Sequence, residues 1–114
     1  MNARDTHVEI SEADGSRRDA NDNDELEQGL KQVFGDSAFA TRVEEDGDRV
    51  VVDGESWKFV ARRSGRLVFK PGGAAYRLVR RTEDLEAVES DGDNVSFVFD
   101  DEEIVLGRGV GHRG

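Results

Sequence analysis

The sequence predicts an α+β fold in which an N-terminal helix precedes a mainly antiparallel meander of six to eight strands. Three observations support this: one amphipathic segment with helical spacing, a change to period-two patterning after it, and turn signals that recur every few residues. The expected connections have hairpin length, which favours antiparallel pairing. Two architectures remain open, an open curved sheet covered by the helix and a small barrel with the helix at its mouth.

The helix is predicted from about residue 25 to residue 34. Four apolar residues recur at the spacing of one helical face, namely Leu26, Leu30, Val33 and Phe34. Asp24 is the expected N-cap because Glu27 follows it at the capping-box spacing. Gly35 is expected to end the helix.

Short segments rich in Val, Phe and other strand formers lie between the turn signals. The expected strands are 38–45, 49–53, 56–63, 66–70, 75–81, 94–99 and 103–107. Residues 82–90 are compatible with two structures. Thr82 followed by two acids resembles a helix start, whereas the alternation of Leu85, Ala87 and Glu89 suits a strand paired with 94–99.

The predicted domain covers residues 24–107. Residues 1–23 form a polar, acidic segment with one Val and one Ile, which cannot bury enough apolar area to offset the entropy of ordering. They are therefore expected to be a disordered tail. Residues 108–114 are rich in Gly and Arg and are expected to form a second, flexible tail.

The composition argues against most catalytic chemistry. There is no cysteine, and the two histidines, His7 and His112, both lie in the predicted tails. Acidic clusters coincide with turns and are expected to be solvated, and nothing in the spacing selects a catalytic pair from Glu27, Glu44 or Asp53. The sequence therefore predicts a non-enzymatic protein with no cofactor, metal or small-molecule substrate.

The location is expected to be cytoplasmic. No apolar stretch approaches the ~20 residues that cross a bilayer, and the first residues lack the apolar core of a signal peptide. Acids outnumber basic residues by 26 to 16, and 13 of those 16 are Arg. Abundant Asp with scarce Lys resembles proteins of salt-loving archaea, in which molar salt screens repulsion over about 3 Å. The composition thus predicts a halophilic archaeal source.

Basic residues are concentrated in one block. Residues 57–82 hold eight basic residues and no acid, and residues 83–106 hold ten acids and no basic residue. Strand alternation assigns the basic residues to one side of three neighbouring strands. We define this predicted basic face by six residues, Lys58, Arg62, Arg66, Lys70, Arg77 and Arg81, which surround Val60, Val68 and Val79. The opposite side is expected to be the core, with Trp57, Phe59, Leu67, Phe69, Tyr76 and Leu78.

The basic face has two interpretations. It is suited to nucleic acid or another polyanion, because the donor fork of Arg matches phosphate in a bidentate manner. Base stacking on it would require Trp57 or Tyr76 at a sheet edge. Alternatively, the block only pairs with the acidic strands that follow, and the protein is a protein–protein interaction domain acting through acidic hairpins or exposed strand edges.

Overall fold

The structure, a computed structural model, describes residues 7–36, 40–55, 57–70, 77–107 and 111–113. These residues form one α-helix, one 3-10 turn and eleven strands. In chain order the elements are β1 (Val8–Ser11), β2 (Arg17–Ala20), α1 (Asn23–Gly35), β3 (Ala40–Asp46), β4 (Arg49–Gly54), β5 (Lys58–Arg62), β6 (Arg66–Lys70), β7 (Leu78–Arg81), the 3-10 turn (Thr82–Asp84), β8 (Leu85–Ser90), β9 (Asn94–Phe99), β10 (Glu103–Gly107) and β11 (Gly111–Arg113).

The strands form two sheets. The first sheet has the order β11-β10-β9-β8-β1-β2, and the second is the sequential meander β3-β4-β5-β6-β7. All neighbours are antiparallel except β1 and β8, which are parallel. A helix with mainly antiparallel strands is confirmed. The single open sheet or barrel of six to eight strands is corrected to two sheets. The chain leaves the second sheet at the 3-10 turn and returns to the first sheet with β8, which pairs with β1.

Aromatic rings fill the space between the sheets. Phe59 and Phe69 of the second sheet contact Phe97 of the first, with ring centroids 4.9 and 5.0 Å apart. Phe34 of α1 packs against Phe59 and Phe97 from the side, at 5.7 and 6.1 Å. The helix therefore closes one side of the two-sheet core, as the apolar spacing within it requires. Trp57 also belongs to this core, and its indole Nε1 donates to the carbonyl of Gly107.

The helix begins two residues earlier than predicted. Asp22 is the N-cap and accepts from the amide of Glu25 at 2.8 Å, and the Glu25 carboxylate accepts from the amide of Asn21 at 2.7 Å. The capping-box spacing occurs twice here, and the predicted pair Asp24 and Glu27 is the wrong one. Glu27 is instead buried, and its carboxylate accepts from a guanidinium nitrogen of Arg63 at 3.3 Å.

The N-terminal segment is the largest correction to the predicted domain. Residues 8–20, expected to belong to a disordered tail, form the hairpin β1–β2 and extend the first sheet beyond β8. Val8 and Ile10 are completely buried, and the Ile10 side chain lies against Gly29 of the helix. Two apolar residues at alternate positions are enough to give this strand an inward face, although the average composition of the segment is polar.

The predicted strands after the helix are mostly confirmed, with ends that differ by a few residues. Residues 82–90 divide between both candidate structures, a 3-10 turn followed by strand β8. Within the predicted C-terminal tail, β11 pairs with β10 and so departs from the expected flexible conformation. Residues 38–39, 56 and 75–76 of the predicted strands lie outside the described residues.

Along the part of the chain that is described, no helix is both long and apolar enough to cross a bilayer.

Gly54 is required for the packing of the sole tryptophan. A Cβ placed on Gly54 would overlap the indole ring of Trp57, whereas one placed on Gly35 would meet nothing within 4 Å. We expect Gly54→Ala to lower the free energy of unfolding by about 1–3 kcal/mol, the usual cost of overpacking. Denaturant unfolding followed by Trp57 fluorescence measures this change. A variant as stable as the Gly35→Ala control would contradict the observed packing.

Candidate polyanion-binding face

The outer side of the second sheet carries three rows of side chains, because its register aligns equivalent positions on successive strands. The arginine row consists of Arg49, Arg62, Arg66 and Arg81. The valine row consists of Val51, Val60, Val68 and Val79. The lysine row consists of Lys58 and Lys70, which are directly paired, together with Arg77 immediately before β7. The valine row thus lies between two rows of cations.

An open depression of about 330 Å³ lies over this side, lined by all members of the rows except Arg81 and, on the β3–β4 side, also by Arg42, Glu44, Asp46 and Asp53. Of the six predicted residues, five line it and are brought together as the alternation predicted, namely Lys58, Arg62, Arg66, Lys70 and Arg77. Arg81 lies at the outer end of the arginine row and does not line the depression. Val79, at the exposed end of the valine row, has 49% of its surface accessible. This end of the face is therefore accessible to a ligand.

Strand geometry fixes the dimensions of the face. Lys58 and Arg62 are four residues apart on one strand, so the two cation rows are separated by about 13 Å at their Cα atoms. Neighbouring strands lie about 4.8 Å apart, so the arginine and valine rows extend about 14 Å from β4 to β7, whereas the lysine row extends about 10 Å from β5 to β7. Over β5 to β7 the face thus has cations along two opposite sides and valine methyl groups along its centre, and over β4 the position next to Lys58 is held by Asp53.

The acidic residues of the segment 83–106 do not neutralise this face. Among the described residues, no carboxylate lies within 4 Å of the side-chain nitrogens of Lys58, Arg62, Arg66, Lys70 or Arg77. Between the described residues, the ion pairs that this basic block forms with residues 83–106 are at the end of the block. There, Arg81 Nε donates to Glu83 at 3.0 Å, and Arg80 contacts Asp101 and Glu102 on the other side of its strand.

Like charges face each other across the strands. Lys58 is directly opposite Lys70, and Arg66 lies between Arg62 and Arg81. Directly opposed like charges destabilise a sheet by roughly 0.2–1 kcal/mol per pair. The arrangement therefore costs stability in the free protein, and an anion bound between the cations would relieve that repulsion.

Acidic residues appear only on the β3–β4 side of the face. Arg42 pairs with Glu44 at 2.6 Å, and Arg49 pairs with Asp46 at 3.1 Å. Asp53 is opposite Lys58 in the register. Strands β5, β6 and the start of β7 contribute only cations and valines to the outer side. An anionic ligand is consequently favoured over β5 to β7 and disfavoured over β3.

Arg80 lies near the end of the basic residues 57–82 and contacts two of the acidic residues in 83–106. Only 18% of its side chain is exposed, and its guanidinium lies 4.3 Å from the centre of the Phe99 ring while donating to Asp101 at 3.2 Å. Strand alternation puts Arg80 on the core side of β7, with Leu78. Its packing there is explained by this contact with an aromatic face, which is favourable for guanidinium groups.

The hydrogen bond from Arg80 lowers the pKa of Asp101 below its ordinary value of 3.8. Because the pKa is lowered in the folded state, this pair stabilises the fold above about pH 4, and the contribution is lost as pH falls through the folded pKa. We expect Asp101→Asn to lower the unfolding temperature at pH 6, and the difference from the wild type to shrink as the pH falls through the folded pKa of Asp101. Thermal unfolding followed by circular dichroism tests this. A difference that does not change with pH would exclude the titration of Asp101 as its cause.

Aromatic rings do not contribute to the outer face within the described residues. Trp57, one of the two residues considered for base stacking, is 5% exposed and points into the core. This agrees with the predicted position of Trp57 on the core side, and its hydrogen bond to Gly107 helps to hold the ring inside. Tyr76, the other candidate, lies outside the described residues.

Two residues of the face were missed by the sequence analysis. Arg49 and Val51 extend the arginine and valine rows onto β4. The same alternation one hairpin upstream could have identified them. The pattern was obscured because residues 37–56, taken as one block, hold six acids and only two basic residues.

Neither a metal site nor a similarity to known proteins adds information about the function. Within the described ranges, no three or more His, Asp or Glu side chains are grouped in a way that could hold a metal ion. Comparisons with protein families, curated proteins and solved structures found no match for this chain.

Proposed function

We propose that this protein is a non-enzymatic binding module that holds nucleic acid on the outer face of its second sheet. The observation that carries the proposal is a set of cations around one open depression that have no carboxylate partner among the described residues, namely Lys58, Arg62, Arg66, Lys70 and Arg77. Phosphate groups are the anions that such spaced Arg and Lys side chains bind most effectively, and they position a nucleic acid without reading its sequence.

The net charge of −10 is compatible with this function because the charges are separated in space. A basic patch is an electrostatic footprint even on an acidic protein. Binding by counterion release weakens steeply as salt rises. If the chain works in molar salt, as its composition suggests, then the phosphate contacts must be bidentate. The two cation rows together support this because they hold five Arg and two Lys.

A salt titration tests the proposal. Fluorescence anisotropy of labelled DNA and RNA, single- and double-stranded, is measured with the protein from 20 mM to molar KCl. We expect binding at low salt that weakens linearly on logarithmic axes, and a loss of affinity in the Arg62→Gln/Arg66→Gln variant. The matched control is Arg17→Gln/Lys31→Gln, which removes the same charge from outside the face. No binding to any nucleic acid at low salt would overturn the proposal.

A second candidate is the protein-interaction domain. It is supported by the open edge of β7, the last strand of the second sheet among the described residues, where Val79 is the most exposed large apolar side chain. An edge strand of this kind can pair with a strand of another protein. Failure of all nucleic acids to bind, with the fold intact, would favour this candidate.

A further inference from the structure

We propose that the preferred ligand is double-stranded RNA, held with one cation row on each of its two backbones. This inference rests on the proposed function and specifies the ligand of the same face. It follows from three properties of the face: the absence of exposed rings among the described residues, the presence of two separate cation rows, and the apolar, shallow surface between them.

The first property argues against a single strand. Proteins that bind single strands without sequence preference combine a basic groove with aromatic side chains on which bases stack. The rings of the second sheet, Trp57, Phe59 and Phe69, are instead buried in the core. Exposed bases would therefore lie on valine methyls, which provide no comparable stacking. A duplex has its bases already stacked and needs only backbone contacts.

The second property matches two backbones. A single strand has one line of phosphates and would use one row of cations, leaving the other without a phosphate. The lysine row and the arginine row are separated by about 13 Å at their Cα atoms. Flexible Lys and Arg side chains extend this range in both directions, so the two rows can contact phosphates on opposite sides of a duplex groove.

The third property selects the A-form helix. The valine row has no side-chain donor or acceptor, so it cannot read base edges, and a broad sheet cannot enter a deep groove. B-form grooves are about 7.5–8.5 Å deep. The minor groove of A-form RNA is wide and shallow and exposes sugar edges. Val60, Val68 and Val79 can rest against those sugars while the rows contact the phosphates.

Competition binding with matched probes tests the inference. The probes are a 16-base-pair RNA duplex, the DNA duplex of the same sequence, and each component single strand, all measured at 0.1 M KCl. We expect the RNA duplex to bind at least tenfold more tightly than either RNA strand and more tightly than the DNA duplex. Equal or tighter binding of a single strand or of the DNA duplex would overturn this inference and leave the proposed function standing. No binding to any probe would overturn both.

Row-specific variants test the two-backbone geometry. Lys58→Gln/Lys70→Gln removes charges from one row and Arg62→Gln/Arg66→Gln from the other. Each variant should weaken binding of the RNA duplex by roughly 10- to 100-fold and reduce the salt slope by about 1.8, which corresponds to two lost phosphate contacts. The Arg17→Gln/Lys31→Gln control should retain the wild-type slope. A full loss in one row variant and no change in the other would contradict the proposed geometry.

Discussion

Replacing Ile10 with alanine is expected to lower the free energy of unfolding by about 2–5 kcal/mol, the range for deleting a fully buried aliphatic side chain. In the disordered tail that the composition of residues 1–23 predicts, the same replacement would have no effect on stability. In the structure Ile10 is completely buried, pairs with Val88 in the parallel ladder, and lies against Gly29 of the helix. Its removal leaves a cavity where the first sheet meets the helix.

Denaturant unfolding followed by Trp57 fluorescence measures the effect, since Trp57 lies in the core and is the only tryptophan. Arg17→Gln is the control in the same hairpin, because Arg17 is 65% exposed and its solvent-exposed ion pair with Glu9 contributes little to stability. Equal unfolding midpoints for Ile10→Ala and wild type would show that β1 is not docked on the core.

Reversing the charge of Arg66 is expected to change stability and binding in opposite directions. Arg66 lies between Arg62 and Arg81, so Arg66→Glu converts two repulsive cross-strand pairs into attractive ones. We expect the free energy of unfolding at 0.15 M salt to rise by about 0.5–2 kcal/mol, from two pairs of roughly 0.2–1 kcal/mol each. Nucleic-acid affinity should fall by at least about tenfold, because a phosphate contact is lost and a negative charge is introduced.

Arg17→Glu is the matched control, since it makes the same charge change on the first sheet. There we expect nearly unchanged affinity and no gain in stability, because Arg17 already has a carboxylate partner in Glu9. A loss of stability in Arg66→Glu would instead indicate that Arg66 serves an internal ion pair. That result would favour the interpretation in which the basic block is structural.

Local pattern predicted the elements of the second sheet and not the assembly of the first. Period-two alternation and hairpin turns define β3 to β7 because each strand pairs with its sequence neighbour. The first sheet depends on the parallel pairing of β1 with β8, two strands separated by most of the chain, and no local signal encodes that contact. The ambiguity of residues 82–90 had a physical cause, since this is where the chain passes from one sheet to the other.

The candidate face was more predictable than the fold around it. The side on which Lys58, Arg62 and Arg66 lie follows from alternation within each strand and does not depend on how the sheets pack. The alignment of cations into rows could not be derived, because it depends on the register between strands. The partner of Glu27 was equally hidden, since Arg63 reaches it from a hairpin 36 residues away.

Methyl NMR of the valines tests the central claim most directly, because the claim assigns ligand binding to one side of one sheet. On titration with the 16-base-pair RNA duplex, we expect the methyl resonances of the valine row, Val51, Val60, Val68 and Val79, to shift. Those of the buried valines of the same protein, Val50, Val52, Val88 and Val95, should remain nearly unchanged. Shifts confined to other surfaces, with the valine row unaffected, would contradict the assignment of the binding face.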